Sequence, residues 1–267
     1  MQIKANNFTM AFEDNGNGIP LLLIHGYPLN RKLWAPQLHG LADVARVLAP
    51  DLRGHGDSQV MPGVYWMELL AGDLNAFLDA LEITDPVVIC GLSMGGYIAL
   101  AFHRKYASRM AGLILTATRA GADSPEGKAG RDQAAQTAQE KGLSAIADAM
   151  LPKMLSPKTY EQRPELVNRV RTIMEDNSLE AILGDLEGMK ERPDSTPALQ
   201  EIHLPTLILH GADDQIIPVK EAEAMRDAIP NARLQLIPDA GHLLNLEQPD
   251  LFNQAVRSFL QSIQSRK

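Results

Sequence analysis

The chain has a single cysteine, Cys90, among 267 residues, so no intramolecular disulfide can staple it. It has no basic run: 25 lysines and arginines stand against 33 acidic residues, a formal net charge of −8. That balance lacks the electrostatic footprint of a nucleic-acid binder and disfavours docking on anionic lipid. No apolar run approaches the ~18 residues that a membrane span needs. The opening MQIKANNFTM lacks the apolar stretch of a secretory signal. Together these absences predict a soluble protein of the cytoplasm, with neither nucleic acid nor membrane as partner. No GxGxxG or Walker pattern follows the early strands, and no His, Cys and carboxylate grouping has metal-ligand spacing. No cofactor and no metal are therefore expected. Repeats and low-complexity tracts are also missing.

What is present is ordinary in bulk and informative in order. The apolar share is 45% and the charged share 22%, as in globular domains. QIKA and FTMAFED flank Asn6-Asn7 and read as a hairpin. LLLI (21–24), ARVLAPD (45–51), VVIC (87–90), GLILTA (112–117), TLILHG (206–211) and LQLIPD (234–239) read as strands, several apolar throughout. Strands buried on both faces of a parallel sheet have that character. Helical spacing marks residues 66–82, through Leu70, Leu74, Phe77, Leu78 and Leu81. It also marks 251–263, where Leu251, Phe252, Val256, Phe259, Leu260 and Ile263 share a face. The alternation predicts an α/β fold, a mostly parallel sheet covered by helices on both sides. It is interrupted from 121 to 196, where four helical patterns and no strand occur. A loop of that length is implausible. We read a helical cap at 121–196 inserted between core segments 1–120 and 197–267.

The stretch VVICGLSMGGYIALAF (87–102) runs from a strand, through three glycines around one serine, into a helix. A serine on so sharp a turn is held in a strained conformation with Oγ above the sheet, and Gly91 and Gly95 leave room for the neighbouring backbone. The helix start below adds free N–H groups. Serine needs a base, usually a histidine oriented by a carboxylate. Of the seven histidines, His242 lies in a glycine-flanked loop past the last strand, well placed to reach Ser93. His210 lies within a strand and reads as structural. The carboxylate is expected after the preceding strand, in LILHGADDQIIP, where Asp213 and Asp214 both qualify. Glu247 and Asp239, near His242, read as surface or capping residues. The oxyanion calls for two N–H donors: that of Met94, just after the serine, and that of Tyr27, in the loop LLLIHGYPLN, where Gly26 permits close approach. His25 reads as a loop-holding residue. In APDLRGHGDS (49–58), Asp51, Arg53 and His55 read as loop architecture held by an Asp–Arg pair rather than as a metal or phosphate site.

LIHGYPLN, PDLRGHGDS, GLSMGGYIAL, GADDQIIP and AGHLLNLEQP, in this order, resemble the α/β-hydrolase family. The likeness runs nearly end to end and is nearest to small carboxylesterases, 3-oxoadipate enol-lactonases and cofactor-free perhydrolases. It implies the α/β-hydrolase fold and the fourth position of GxxDxxxP as the acid, which selects Asp214. It implies Tyr27 and Met94 as the oxyanion pair. Serine at 93, where dehalogenases and epoxide hydrolases would carry aspartate, disfavours those branches. The expected activity is hydrolysis of small, short-acyl esters by Ser93, His242 and Asp214. Met150, Met154, Met174 and Met189, with Leu143, Ile146 and Leu151, make the cap apolar and favour uncharged substrates. The rival is an anionic enol-lactone, which needs a cation from among Arg119, Arg131, Arg163 and Arg192. Perhydrolysis would use the same site, and a non-catalytic ligand-binding module is the alternative outside enzymology.

Overall fold

A computed structural model describes residues 1–265. The β-branched and leucine-rich runs become strands, because such side chains fit a pleated surface buried on both faces. They are β1 (Gln2–Ala5), β2 (Phe8–Asn15), β3 (Ile19–Ile24), β4 (Ala45–Pro50), β5 (Val87–Leu92), β6 (Met110–Thr116), β7 (Thr206–Gly211) and β8 (Ala232–Ile237). They form one sheet in the order β1-β2-β4-β3-β5-β6-β7-β8. The β1–β2 and β2–β4 pairs are antiparallel; every other pair is parallel. The expected hairpin turns at Asn6, whose φ of 52° suits asparagine.

The helices are α1 (Ala35–Gly40), α2 (Met67–Ala80), α3 (Met94–Tyr106), α4 (Pro125–Met154), α5 (Pro157–Gln162), α6 (Pro164–Glu175), α7 (Leu179–Lys190), α8 (Val219–Ala228), α9 (Leu244–Glu247) and α10 (Pro249–Gln264). Alternation along the strands feeds two separate cores. Leu22, Ile24, Ile89, Leu115 and Ile208 face α2, α3 and α8. Leu21, Leu23, Val88, Cys90, Ile114 and Leu209 face the other way, toward α1 and α10. On α10, Phe252, Val256, Phe259, Leu260 and Ile263 are buried, whereas Leu251, expected on that face, is only half-buried at its edge. No helix among the described residues is long and apolar enough to cross a membrane.

Between β6 and β7 the chain is helical, α4 to α7, with no strand. Pro125 and Pro157 sit at the first positions of α4 and α5, and Ser124, Ser156 and Ser178 cap α4, α5 and α7 through their hydroxyls. The sequence pattern missed α5, which is only 6 residues long and has a single buried side chain, Thr159. The two helical patterns of 127–151 are both present, but α4 breaks between them at Gly142, with φ 78° and ψ −176°. No side chain but hydrogen makes that conformation cheap.

The strand order places the site. β3 has β4 on one side and β5 on the other, so connections leaving β3 and β5 run to opposite sides of the sheet. Ligand crevices of open α/β sheets form at such a switch, outside the carboxyl ends of the strands. The loop after β3 carries Tyr27, and the turn after β5 carries Ser93.

Candidate active site

Ser93 stands between β5 and α3 with φ 55° and ψ −113°, a conformation that non-glycine residues rarely hold without compensation. The compensation is dense. Its N–H donates to the Thr116 carbonyl (2.9 Å), and its carbonyl accepts from Gly96 N–H (2.9 Å) and from the Thr118 hydroxyl (2.8 Å). The glycines are there for space. A Cβ on Gly91 would lie 2.1 Å from the Gly95 carbonyl oxygen, and one on Gly95 would lie 2.3 Å from that of Ile24. Gly96 abuts the Thr118 side chain just after β6, at 2.4 Å from such a Cβ. Because backbone is the obstacle at Gly95, Gly95→Ala is expected to cost about 1–3 kcal/mol of stability. Urea unfolding of the variant checks this.

Gly26 brings the β3 loop onto this turn: a Cβ there would fall 2.7 Å from Leu92 O and 3.0 Å from the Ser93 Cβ. His25 fixes the same loop. Its Nε2 accepts from Leu52 N–H (3.0 Å), which makes Nδ1 the protonated nitrogen, and Nδ1 donates to the Gly26 carbonyl (3.1 Å). Burial, together with the neighbouring His55, holds its pKa well below the ordinary value, so the ring stays neutral. Neither the Tyr27 nor the Met94 N–H donates to a protein acceptor among the described residues. The Tyr27 phenol is buried without a hydrogen-bond partner, and burial, with help from the Asp185 carboxylate, pushes its pKa up.

The loops that carry Asp214 and His242 leave β7 and β8, which are adjacent. His242 is buried, and its Nδ1 lies 2.9 Å from Asp214 Oδ2. The other Asp214 oxygen accepts from the N–H groups of Ile216 (2.8 Å) and Ile217 (3.0 Å). Burial raises the Asp214 pKa, but His242 and these two donors outweigh it and leave it below the ordinary value. Asp213 points to solvent. His210, read as structural, donates from Nε2 to the Ile217 carbonyl (2.8 Å) and steadies the loop after β7. Burial lowers its pKa.

A cavity of about 110 Å³ contains both Ser93 and His242 in its wall, with Tyr27, Tyr97, Arg119, Arg131, Met150, Met189, Ile216 and Ile217. No hydrogen bond joins the serine and the imidazole among the described residues; such contacts tighten when substrate engages. Of the four methionines singled out between 121 and 196, Met150 and Met189 reach the cavity, while Met154 and Met174 belong to the core beside α10. A second cavity, of about 340 Å³, shares Tyr27, Arg131 and Met150 with the first and runs between the two halves of α4 past Ala134, Ile146 and Leu186.

The arginines sort in a way that sequence spacing does not show. Arg119, Arg131 and Arg192 all bind one carboxylate, Asp123, with Arg131 Nε and Arg192 Nη1 each at 2.9 Å. Three guanidinium charges on one carboxylate leave a positive excess, and Arg119 and Arg131 bring it to the cavity wall. Burial opposes ionisation of Asp123, but these cations prevail and lower its pKa. Arg163 is elsewhere, donating to the Glu247 carbonyl (3.1 Å).

The structure refines one sequence reading and corrects another. The loop at 49–58 is held by Asp–Arg pairs, but Asp51 pairs with Arg31 and Arg53 with Asp73 (2.7 Å). His55 Nε2 lies 3.0 Å from Asp185 of α7, tying this loop to the inserted helices. Asp239 is exposed, as expected, and pairs with Lys158, but Glu247 is no surface residue: it is buried, with both carboxylate oxygens bonded to backbone N–H groups. Its partner Ser156 is 91 residues away, so no local pattern could have revealed it.

A family model described as the alpha/beta hydrolase fold matches residues 19–249. A thermophilic esterase from Thermogutta terrifontis, solved with malate bound, is 44% identical, with TM-score 0.95 and 98% of each chain covered. The enol-lactonase from Burkholderia xenovorans LB400 is 30% identical, with TM-score 0.90, over 98% of this chain and 100% of that one. Among curated sequences, 3-oxoadipate enol-lactonase 2 of Acinetobacter baylyi is 31% identical over 90% of this chain and 88% of its own.

Proposed function

This chain belongs to the alpha/beta hydrolase fold family, and on that premise we propose that it hydrolyses small carboxylic esters through an acyl-enzyme on Ser93. The observation that carries the reading is the 2.9 Å contact between His242 Nδ1 and Asp214, on an imidazole that shares a cavity wall with Ser93. Residues 121–196 act as the cap in this reading, between core segments 1–120 and 197–267.

Asp214 stays ionised and accepts a hydrogen bond from His242 Nδ1–H, which leaves Nε2 unprotonated as the base. Ser93 Oγ attacks the ester carbonyl carbon as Nε2 takes its proton. The oxyanion is received by the Tyr27 and Met94 N–H groups. The C–O bond breaks, and the alcohol departs with the proton from His242. Water then gives a proton to Nε2 and adds to the acyl carbon; Ser93 leaves with that proton, freeing the acid. The small cavity beside Ser93 favours short acyl groups. On p-nitrophenyl esters from acetate to decanoate, kcat/KM is expected to peak at acetate or butyrate. A peak at octanoate or beyond would refute the size preference.

A second reading is favoured by the arginines. Arg119 and Arg131 in the wall suit a lactone or ester that carries its own carboxylate, such as an enol-lactone of the kind named for two of the relatives. The malate in the Thermogutta esterase structure is a carboxylate ligand as well. A charge-assisted hydrogen bond contributes ~1.5–3 kcal/mol. Arg131→Gln is thus expected to raise KM for a monomethyl dicarboxylate roughly 10- to 100-fold, and to change that for methyl butyrate by less than about threefold. Equal effects on both esters would remove the carboxylate subsite and leave the neutral-ester reading.

A further inference from the structure

The buried carboxylate of Glu247 has no part in the mechanism above. Its Oε1 accepts from Gly241 N–H at 2.7 Å, and Gly241 immediately precedes His242. Its Oε2 accepts from Ser156 N–H at 2.9 Å, just past the end of α4. Among the described residues no lysine, arginine or histidine forms an ion pair with it. A carboxylate left 4% exposed with only two backbone donors is costly to bury unless both bonds are kept. Both donors lie in segments that bear on the catalytic imidazole.

The rest of the contact is equally specific. Leu243 N–H, on the other side of His242, donates to the Met154 carbonyl at 3.1 Å. A Cβ on Gly241 would come 2.6 Å from Ser156 N and 2.7 Å from the Leu155 carbonyl carbon. The acid loop joins the same segment, with Gln215 Nε2 donating to Leu155 O at 3.3 Å, and Asp213 N–H donating to Ala240 O at 2.9 Å. The histidine loop is therefore held between the acid loop and the chain leaving α4. Its backbone is pinned one residue before His242 by Glu247 and one residue after it by Met154.

We infer that Glu247 is a positioning residue: by clamping Gly241 to Ser156 it sets the backbone from which His242 reaches Ser93, and couples that reach to the end of α4. The inference rests on the triad proposed above. A misplacement of about 1 Å at a reacting group can cost 10²-fold in rate. Losing one of the two clamp bonds should therefore act on turnover rather than on substrate binding.

The test compares full-length wild type with Glu247→Gln, Ser93→Ala and Val256→Ala on p-nitrophenyl acetate. Glutamine keeps the shape and one acceptor oxygen but sets an NH2 group against the other N–H donor. The expected result for Glu247→Gln is a fall in kcat of roughly 10- to 100-fold with KM within about twofold of wild type. The low-field proton resonance of the His242–Asp214 bond should shift or broaden. Val256→Ala, in the core under α10, should lower the melting temperature while leaving kcat and that resonance unchanged. If Glu247→Gln fails to fold, Ser156→Pro against Ser156→Ala decides. Ser156 has φ −60° and follows an extended Leu155 with ψ 156°, so proline fits the backbone; its Cδ takes the place of the N–H and pushes the Glu247 carboxylate away, whereas alanine keeps that donor. A lower kcat for Ser156→Pro than for Ser156→Ala supports the clamp; equal values overturn it. Glu247→Gln with wild-type kcat also overturns it. Turnover retained by Ser93→Ala would instead refute the triad itself, so the two failures are told apart.

Discussion

Ser93→Ala is expected to lower kcat for p-nitrophenyl acetate by about 10⁶-fold, to the floor set by the oxyanion donors and binding alone. The size follows from what is removed. Among the described residues no other serine, threonine or cysteine shares the cavity wall with His242, and the residual site offers only hydrogen bonds to the developing oxyanion. The fold should not suffer. Alanine keeps the Cβ at φ 55°, and the bonds that hold the turn are made by the backbone N–H and carbonyl of position 93. Steady-state kinetics beside a thermal melt separate loss of the hydroxyl from loss of structure.

The second large effect is Asp214→Asn, expected to cost about 10⁴-fold in kcat. Asparagine can still use its Oδ1 to accept from the Ile216 and Ile217 N–H groups, so the acid loop keeps its shape. Its NH2 group then faces His242 Nδ1, which must turn from donor to acceptor. The ring proton moves to Nε2, and the base facing Ser93 is lost. Asp213→Asn, on an exposed side chain one residue earlier, should leave kcat within about twofold of wild type. The same carboxylate has a linkage to stability. Its folded pKa lies below the unfolded 3.8, so its contribution is fully present above that value and lost as pH falls through the folded pKa. Urea midpoints of wild type should fall more steeply below about pH 4 than those of Asp214→Asn. Parallel slopes would show that the pair contributes nothing to folding.

The sheet was legible because its strands are short apolar runs with no competing period, and the serine turn because backbone collisions leave only glycine at 91 and 95. The insertion was legible as helix from its patterns, but α5 buries too little to leave a trace. Choosing between Asp213 and Asp214 was beyond spacing, since adjacent residues share every long-range separation. Only the resemblance separated them, and in three dimensions it is Asp214 that meets His242. The arginines show the same limit. Four were equivalent in sequence, and two reach the cavity because Asp123 gathers a cluster from the loop after β6, α4 and the end of α7. Glu247 was misread because charged residues near a loop are usually solvated, and its partner Ser156 is remote in the chain. An Asp–Arg pair is expected from the sequence of the loop at 49–58, but its partners are not legible there, because Arg31 and Asp73, which pair with Asp51 and Arg53, lie outside that segment.

The most direct measurement is reaction of the protein with a fluorophosphonate at neutral pH, followed by peptide mass mapping. A hydroxyl made nucleophilic by His242 should yield one adduct per chain, on Ser93, and Asp214→Asn should slow its formation in step with turnover. No adduct on Ser93, or an adduct at another residue while ester hydrolysis proceeds, would contradict the account.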